Sequence, residues 1–191
     1  MRSLIHFVHT SLDGRIQGPR GEFDWPEMGP ELSAYSLVLH EELDTLLYGR
    51  RVWEMMAAHW PTADRVSDHP HDRAYAPVWR ETDKVVVSRT LERVDVERTT
   101  LITQDVPNAI SALKQRPGKD IVLMGGAGLA GSLAAAGLVD ELRIVVHPVV
   151  LGGPHAVLPA GDVRLGFDLV DSRVLDGRSV LSTYRASAAP A

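Results

Sequence analysis

The chain has 191 residues, of which 45% are hydrophobic and 24% are charged, both near the averages of globular proteins. It contains no cysteine, which excludes disulfides, thiolate metal sites and a cysteine nucleophile. Its formal net charge of −5 argues against a nucleic-acid partner, and no apolar stretch approaches the roughly 20 residues that cross a membrane. We therefore expect one domain, with a core over about residues 3–185 and a tail at 186–191, in a cytoplasmic protein without a membrane or nucleic-acid partner.

Strand-like and helix-like segments alternate along most of the chain. Enrichment in β-branched and apolar residues predicts strands over residues 4–9, 45–49, 84–88, 100–103, 121–125, 141–151, 167–175 and 179–185. Apolar residues at helical spacing predict helices over residues 32–43, 52–59, 72–81, 106–114 and 127–137. Residues 61–70 are rich in Asp, His, Pro and Ser, and are predicted to form an exposed loop.

The order of these segments predicts an α/β fold. Strands that alternate with helices favour a largely parallel sheet with helices on both faces. The pair Asp176 and Gly177 between the last two strands is typical of a tight hairpin, because both residues of such a turn adopt a positive φ. This hairpin is expected to add an antiparallel edge to the sheet.

One predicted strand ends in a turn that suits a phosphate group. Gly49 allows the backbone to turn closely, and Arg50 and Arg51 follow it at the start of a helix. Arginine at a helix amino terminus opposes the helix dipole, so a bound anion would explain the pair. A solvated arginine pair beside Glu54 is the alternative.

Two more predicted strands end in a similar way. One runs into Gly125, Gly126 and Gly128 ahead of a helix, which exposes backbone N–H groups, although glycines also permit tight packing of a helix on a sheet. The other ends at Ser88, followed by Arg89, whose guanidinium suits bidentate binding of a phosphate monoester. Since the carboxyl ends of parallel strands meet at one edge, these ends together predict a crevice for a dinucleotide.

Five motifs carry a resemblance to a known family. They are SLDGRI at 11–16, GRRVWE at 49–54, VSRTL at 87–91, GGAGL at 125–129 and GLVDEL at 137–142, the last leading into HPVVLG at 147–152. Their order and spacing resemble the dihydrofolate reductase superfamily over nearly the whole chain. The closer match is the reductase domain of the bifunctional riboflavin-biosynthesis deaminase/reductase. The resemblance implies an α/β fold around a mixed, mostly parallel sheet of about eight strands with helices on both faces, which binds NADPH.

The resemblance also implies which residues contact the cofactor. They are Ile16, Gly18, Gly49, Arg50, Arg51, Val52, Ser88, Arg89, Gly125, Gly126, Ala127, Gly128 and Leu129. Ser88 and Arg89 would bind the adenosine 2′-phosphate, which favours NADPH over NADH. Ile16 and Gly18 would border the nicotinamide.

The sequence departs from the family pattern at two points. Val52 stands where the family often has Thr, so a hydroxyl contact to phosphate is lost. None of Glu31, Glu41 and Glu42 on the first long helix lies in the motif of the carboxylate that binds pterin in folate reductases. Folate itself is therefore not indicated as the substrate.

Two functions remain open on this sequence. One is an NADPH-dependent reductase of a small pterin-like or pyrimidine-like heteroaromatic or carbonyl compound. The other is a non-catalytic protein of the same fold that binds NADPH or a small ligand. A homodimer is expected from the resemblance, with the late strand and the terminal hairpin offering apolar edges.

Three residues are candidates for contact with a substrate. A proton donor near neutral pH is a carboxylate of raised pKa or a histidine, and Asp13 after the first strand is the catalytic candidate. Positioning of the substrate or cofactor is an equal alternative to acid catalysis, and a simple turn is the equal structural alternative. Trp25 is a candidate for stacking on a planar substrate, or else packs on the next helix. Tyr48 is predicted to face the crevice, whereas Trp53 is predicted to lie in the core.

The histidines are not predicted to form a metal site or to share a ligand. His6 and His9 are three residues apart in a strand, so they point to opposite faces and do not share a ligand. His147 lies in a strand before a proline, and is interpreted as structural. His69 and His71 lie in an irregular segment without a known ligand spacing, so no metal site is expected.

Overall fold

The structure, a computed structural model, describes residues 1–158 and 164–187. Within these ranges the strands are β1 (Leu4–Thr10), β2 (Leu43–Gly49), β3 (Asp83–Val87), β4 (Thr99–Ile102), β5 (Asp120–Leu123), β6 (Glu141–Val146), β7 (Phe167–Leu175) and β8 (Ser179–Ala186). The helices are α1 (Pro30–Glu42), α2 (Arg50–His59), α3 (Ala63–Val66), α4 (Pro70–Glu81), α5 (Val106–Gln115) and α6 (Ala127–Ala135).

All of these strands belong to one sheet in the order β4-β3-β2-β5-β1-β6-β8-β7. Strands β1 to β6 pair in parallel, whereas β8 pairs antiparallel with both β6 and β7. The predicted mixed α/β fold with a terminal antiparallel hairpin is therefore confirmed. Because the pairing is parallel, the carboxyl ends of β1, β2, β3, β5 and β6 lie along one edge of the sheet, where such folds bind ligands.

The sheet has a hydrophobic core on each face. Side chains alternate along β1, so that Ile5 and Phe7 enter one core and Leu4 enters the other. Helices α1, α2 and α4 cover the first face and contribute the buried rings of Trp53 and Trp79. Helices α5 and α6 cover the second face with aliphatic residues. The prediction that Trp53 lies in the core is confirmed.

Helix α4 begins earlier than predicted and is tied at both ends. The His71 N–H donates to the ring of His69 at 3.2 Å, which caps the first turn. Together with α3, this helix replaces part of the loop predicted over 61–70. At the other end, the buried ammonium of Lys84 in β3 donates to the Trp79 carbonyl at 2.8 Å, where a cation favours the helix dipole.

The strand predicted over 141–151 is shorter than expected. It ends at Val146, and Pro148 has no N–H with which to continue a ladder. The chain then turns toward the loop after β1, where the Leu12 N–H donates to the Val149 carbonyl at 2.8 Å. Of the predicted tail, Ala186 still belongs to β8, and residues 188–191 lie outside the described residues.

Candidate cofactor and substrate site

Helices α2 and α6 begin side by side at the carboxyl edge of the sheet. Helix α2 follows Gly49, α6 follows Gly126, and the Gly49 N–H donates to the Gly125 carbonyl at 3.4 Å. Ala127 and Leu129 lie in the first turn of α6. Neither helix has a side-chain cap or an acidic residue in its first turn. Two positive dipole ends and their first-turn N–H groups therefore face the same space, which suits an anion.

The glycine turn between β5 and α6 leaves little room for side chains. Gly125 and Gly126 have φ values of +119° and +101°, which other residues rarely adopt. A Cβ on Gly126 would lie 3.4 Å from the Gly49 Cα, and one on Gly125 would lie 3.6 Å from the Val52 side chain. A Cβ on Gly128, in contrast, would meet nothing within 4 Å. The close approach of the two helix starts thus depends on glycine at position 126.

The first turn of α2 carries the predicted arginine pair. Arg50 Nη1 lies 2.9 Å from Glu54 Oε1 one turn later, an exposed ion pair that contributes little to stability. Arg51 is exposed at the same edge, and Val52 is half-buried with its side chain against the glycine turn. This geometry agrees with the solvated interpretation of Arg50, and leaves Arg51 as the exposed cation nearest the helix start.

The turn after β3 is shaped by Ser88. Its buried hydroxyl oxygen accepts the N–H groups of Thr90 and Leu91 at 3.1 and 3.0 Å. Arg89 is exposed in the middle of this turn, at the same edge of the sheet as Gly49. Arg89 therefore lies just after the end of β3, the strand next to the one that leads into α2.

Asp13 holds two loops together and is unsuited to donate a proton. Its carboxylate accepts the Ser11 hydroxyl at 2.6 Å and the N–H groups of Leu151 and Gly152 at 3.1 and 2.8 Å. The Ser11 hydroxyl above all, and then the two amides, lower the pKa of Asp13 to about 2. A carboxylate held in this way does not fit a proton donor of raised pKa, whereas its contacts fit the alternative of a turn residue.

Ile16 and Gly18 lie in the loop that follows β1. The Ile16 N–H donates to the His155 carbonyl at 3.1 Å, and Gly18 is buried. A Cβ on Gly153 would lie 3.1 Å from the Gly18 carbonyl carbon, so the two loops are closely packed. Both residues lie on the expected edge of the sheet, while their contact with a cofactor stays a prediction.

Tyr48 does not face the crevice, contrary to the prediction. Its side chain is fully buried among aromatic rings, and its hydroxyl accepts the Trp79 indole N–H at 2.9 Å. Burial raises the pKa of Tyr48 above its ordinary value. Successive side chains of a strand point to opposite faces, and residue 48 points into the core beneath α2 and α4. We therefore remove Tyr48 from the candidate substrate contacts.

Trp25 lies at the entrance of a surface cleft. Its ring packs edge-on against His147, with 5.4 Å between centroids, and against Phe23 at 5.8 Å. Its indole N–H is buried without a hydrogen-bond partner among the described residues. The segment after it lines a cleft of about 480 Å³ whose lining residues are Pro26, Glu27, Met28, Gly29, His69 and Asp72.

The structure brings together two histidines that the sequence treated as separate and structural. His9 Nδ1 lies 2.9 Å from His147 Nε2, because β1 and β6 are paired neighbours that end at the same edge. His6, as predicted, points to the other face of β1 and bonds the Leu123 carbonyl at 3.2 Å. His9 ends the strand predicted over 4–9, and His147 directly precedes Pro148, which cannot continue a ladder. These two positions are the sequence signal for the pair.

The described residues contain neither a metal-binding cluster nor a membrane-spanning helix. No group of three or more metal-ligating side chains is close enough there to hold a metal ion. No helix in the described ranges has both the length and the apolar character needed to span a bilayer.

Comparisons with known proteins agree on one family. The sequence pattern of the RibD C-terminal domain matches residues 2–181. The uncharacterized protein YyaP of Bacillus subtilis is 31% identical over 183 residues, which are 96% of this chain and 94% of that protein.

Solved structures show the same fold at lower sequence identity. A Shewanella sp. PV-4 protein provisionally assigned to riboflavin biosynthesis superposes with a TM-score of 0.76 at 23% identity, covering 97% of this chain and 99% of that one. Dihydrofolate reductase from Enterococcus faecalis, solved with NADP(H), superposes with a TM-score of 0.65 at 17% identity and 96% coverage of both chains.

Proposed function

Because the chain belongs to the family of RibD C-terminal domains, we propose that it is an NADPH-dependent reductase. Its substrate is a small heteroaromatic or carbonyl compound of pterin-like or pyrimidine-like type. The observation that carries the proposal is the convergence of two uncapped helix starts over the glycine floor at Gly49 and Gly126. That arrangement suits the pyrophosphate of a dinucleotide.

The residues at this edge fit NADPH in a definite orientation. The first turns of α2 and α6 hold the pyrophosphate through backbone N–H groups, with Arg51 adding positive charge. The exposed Arg89, presented by the Ser88 turn, binds the adenosine 2′-phosphate. The nicotinamide end then lies toward β1, beside Ile16 and Gly18. The bound cofactor supplies a hydride, and the protein supplies binding and orientation.

The substrate lies on the α1 side of the same edge. A cleft opens there between the segment that follows Trp25 and the start of α4. Its lining includes Glu27, His69 and Asp72, which offer polar contacts to a small heteroaromatic ring. The protein supports the reaction by excluding water and by fixing the ring against the nicotinamide.

The proposal is tested through Arg89. In Arg89→Gln, the dissociation constant for NADPH is expected to rise about tenfold, because a charged contact to the 2′-phosphate is lost. The affinity for NADH, which lacks that phosphate, should stay the same. Arg93→Gln is the matched control. Arg93 is an exposed arginine that follows Arg89 in the chain and pairs with Asp95. An equal loss for both cofactors, or no loss for NADPH, would contradict this assignment.

A non-catalytic binding protein is the second candidate. It is favoured by two observations: Asp13 is held ionised by its donors, and Val52 brings no hydroxyl to the phosphate site. A panel of pterin, pyrimidine and quinone compounds, assayed for NADPH oxidation, separates the two. Turnover of any of these compounds at an ordinary enzymatic rate removes the second candidate.

We also propose that the protein is a homodimer that pairs through β7. This strand lies at the edge of the sheet, and its residues from 168 to 174 are all exposed. Leu169 and Val174 are apolar members of that run, and an exposed edge strand is a template for pairing with a second copy. Sedimentation should give a dimer for the wild type and a monomer for Leu169→Lys. Val66→Lys, at another exposed apolar position, should stay dimeric, and a monomeric wild type would contradict the proposal.

A further inference from the structure

Three polar side chains form a continuous chain at the ends of β1 and β6, which we call the histidine chain. His9 Nδ1 lies 2.9 Å from His147 Nε2, and His147 Nδ1 lies 3.3 Å from Ser179 Oγ. Ser179 and His147 are 1% and 2% exposed, whereas His9 is half-buried. The other ring nitrogen of His9, Nε2, has no partner among the described residues. The chain therefore runs from a buried hydroxyl to one open ring nitrogen.

The hydrogen bonds of the chain are coupled, because a neutral imidazole carries one N–H and one lone pair. If His9 Nδ1–H donates to His147, then His147 Nδ1–H donates to Ser179, and His9 Nε2 is an acceptor. If His147 Nε2–H donates to His9, then the Ser179 hydroxyl donates to His147, and His9 Nε2–H is a donor. The direction of the Ser179 hydrogen bond and the form in which His9 meets a ligand therefore change together.

The side chain of His9 lies on the face of the sheet where the substrate is proposed to bind. Ile5, Phe7 and His9 share one face of β1, the face covered by α1, α2 and α4. His9 is the last of the three, at the carboxyl edge. Trp25 packs on the far side of His147 and leads directly into the cleft of about 480 Å³.

The surroundings of the chain keep it neutral. Burial above all, with His147 and then His71 of α4 as further causes, lowers the pKa of His9 to about 3. Burial also lowers the pKa of His147. The rings that pack against the pair, those of Phe7 and Trp25, are uncharged. A neutral imidazole pair suits an uncharged polar ring better than an anionic group.

We propose that His9 hydrogen-bonds the polar edge of an uncharged heteroaromatic substrate ring, with His147 and Ser179 as positioning residues that set its tautomer. The inference rests on the proposed function and names the chemistry of its substrate subsite. The ring carries neighbouring N–H and C=O groups, as a uracil does. Such a ring offers an acceptor to the N–H form of His9 and a donor to its lone-pair form.

The coupling within the chain is tested by nitrogen-15 NMR of labelled histidine. Ser179→Ala should change the nitrogen shifts of His147 and, through it, of His9, which Ser179 does not touch. Ser182→Ala is the matched control, because Ser182 is also buried in β8 but bonds Ser172. A His9 spectrum that is the same in Ser179→Ala and the wild type would overturn the coupling.

The ligand contact is tested with uracil in the presence of NADP⁺. In the wild type, uracil should shift the His9 Nε2 signal, and the analogue methylated on both ring nitrogens should bind more weakly. His9→Phe should weaken uracil binding about tenfold and leave NADP⁺ affinity within about twofold. His9→Asn, which keeps a polar side chain, should restore part of the loss.

The outcomes separate the two proposals. If NADP⁺ does not bind the wild type, the reductase proposal fails. If NADP⁺ binds but uracil leaves the His9 signal unmoved, or if His9→Phe binds uracil as tightly as the wild type, the histidine-chain proposal fails alone.

Discussion

The carboxyl edge of the sheet consists of two unlike surfaces. Around β2, β3 and β5 it is glycine backbone and helix starts, with exposed arginines at its margin. Around β1 and β6 it is made of the side chains His9, His147 and Trp25. The backbone surface offers a fixed positive potential to an anion, whereas the side-chain surface offers neutral hydrogen-bonding groups.

Because of this difference, cofactor binding and substrate binding are expected to be sensitive to different kinds of change. The backbone surface is expected to be most sensitive to the addition of a Cβ at its closest point, Gly126. The side-chain surface depends on groups whose charge changes with pH. The experiments below act on one surface at a time.

Acidification should destabilise the fold through its buried histidines, of which His9 belongs to the side-chain surface. Burial lowers the pKa of His6 to about 4, of His9 to about 3 and of His71 to about 4, from an ordinary value of 6.5. Below that value the unfolded chain binds protons that the folded chain does not, so stability is lost as the pH falls through this range. Each such histidine contributes about 1.4 kcal/mol per pH unit, hence about 4 kcal/mol per pH unit for the three.

Urea unfolding between about pH 7 and pH 5 measures this slope. His9→Gln should lower this slope by about 1.4 kcal/mol per pH unit, because one titrating imidazole is gone. The other histidines with lowered pKa values, His6, His40, His71 and His147, remain. The same variant compared with the wild type near pH 8 is the control for effects unrelated to protonation. A stability that is flat over this range would show that the imidazoles are not held neutral.

Gly126→Ala should lower both the stability of the fold and the affinity of the backbone surface for NADPH. The added Cβ would lie 3.4 Å from the Gly49 Cα at a φ of +101°, and such strain costs about 1–3 kcal/mol. Because the two helix starts would shift, NADPH affinity should fall by about tenfold or more. Gly128→Ala is the matched control. It should stabilise α6 by about 0.5–1 kcal/mol and bind NADPH more tightly than Gly126→Ala, because its Cβ meets no protein atom within 4 Å.

Urea unfolding and fluorescence titration with NADPH measure both effects for each variant. If Gly126→Ala bound NADPH as well as Gly128→Ala, the narrow glycine floor would not be part of the cofactor site.

Asp13→Asn should have the smallest effect, since Asp13 joins two loops and belongs to neither surface. Asn keeps an oxygen acceptor but loses the charge that three donors favour. The Leu151 and Gly152 amides should exchange hydrogen severalfold faster, while NADPH affinity and the unfolding midpoint stay unchanged. A large loss of NADPH affinity would instead place Asp13 in the binding machinery.

The backbone surface can be predicted from the sequence because the residues that form each of its turns are close together in the chain. Glycine after an apolar strand, followed by a helix, marks a close turn at Gly49 and at Gly126 without knowledge of strand order. The parallel sheet and the Asp176–Gly177 hairpin were likewise predicted from alternation and turn chemistry. Their confirmation follows from rules that operate over a few neighbouring residues.

The contacts of the side-chain surface cannot be predicted from the sequence in the same way, because they join residues that are far apart in the chain. His9 and His147 are 138 positions apart and meet only because β1 pairs with β6. The sequence alone does not predict that these two strands are neighbours in the sheet. Tyr48 was misplaced for a related reason. Its position at a strand end suggested the crevice, but the face to which it points is settled by the register of β2 against its neighbours and the packing of Trp79.

The most direct test of this account is the orientation of the bound dinucleotide, measured by nuclear Overhauser effects from NADP⁺ to side chains. The account predicts contacts from the nicotinamide protons to Trp25 and Ile16, and from the adenine protons to the turn at Ser88 and Arg89. Adenine contacts to Trp25, or no contact between NADP⁺ and the carboxyl edge of the sheet, would contradict it.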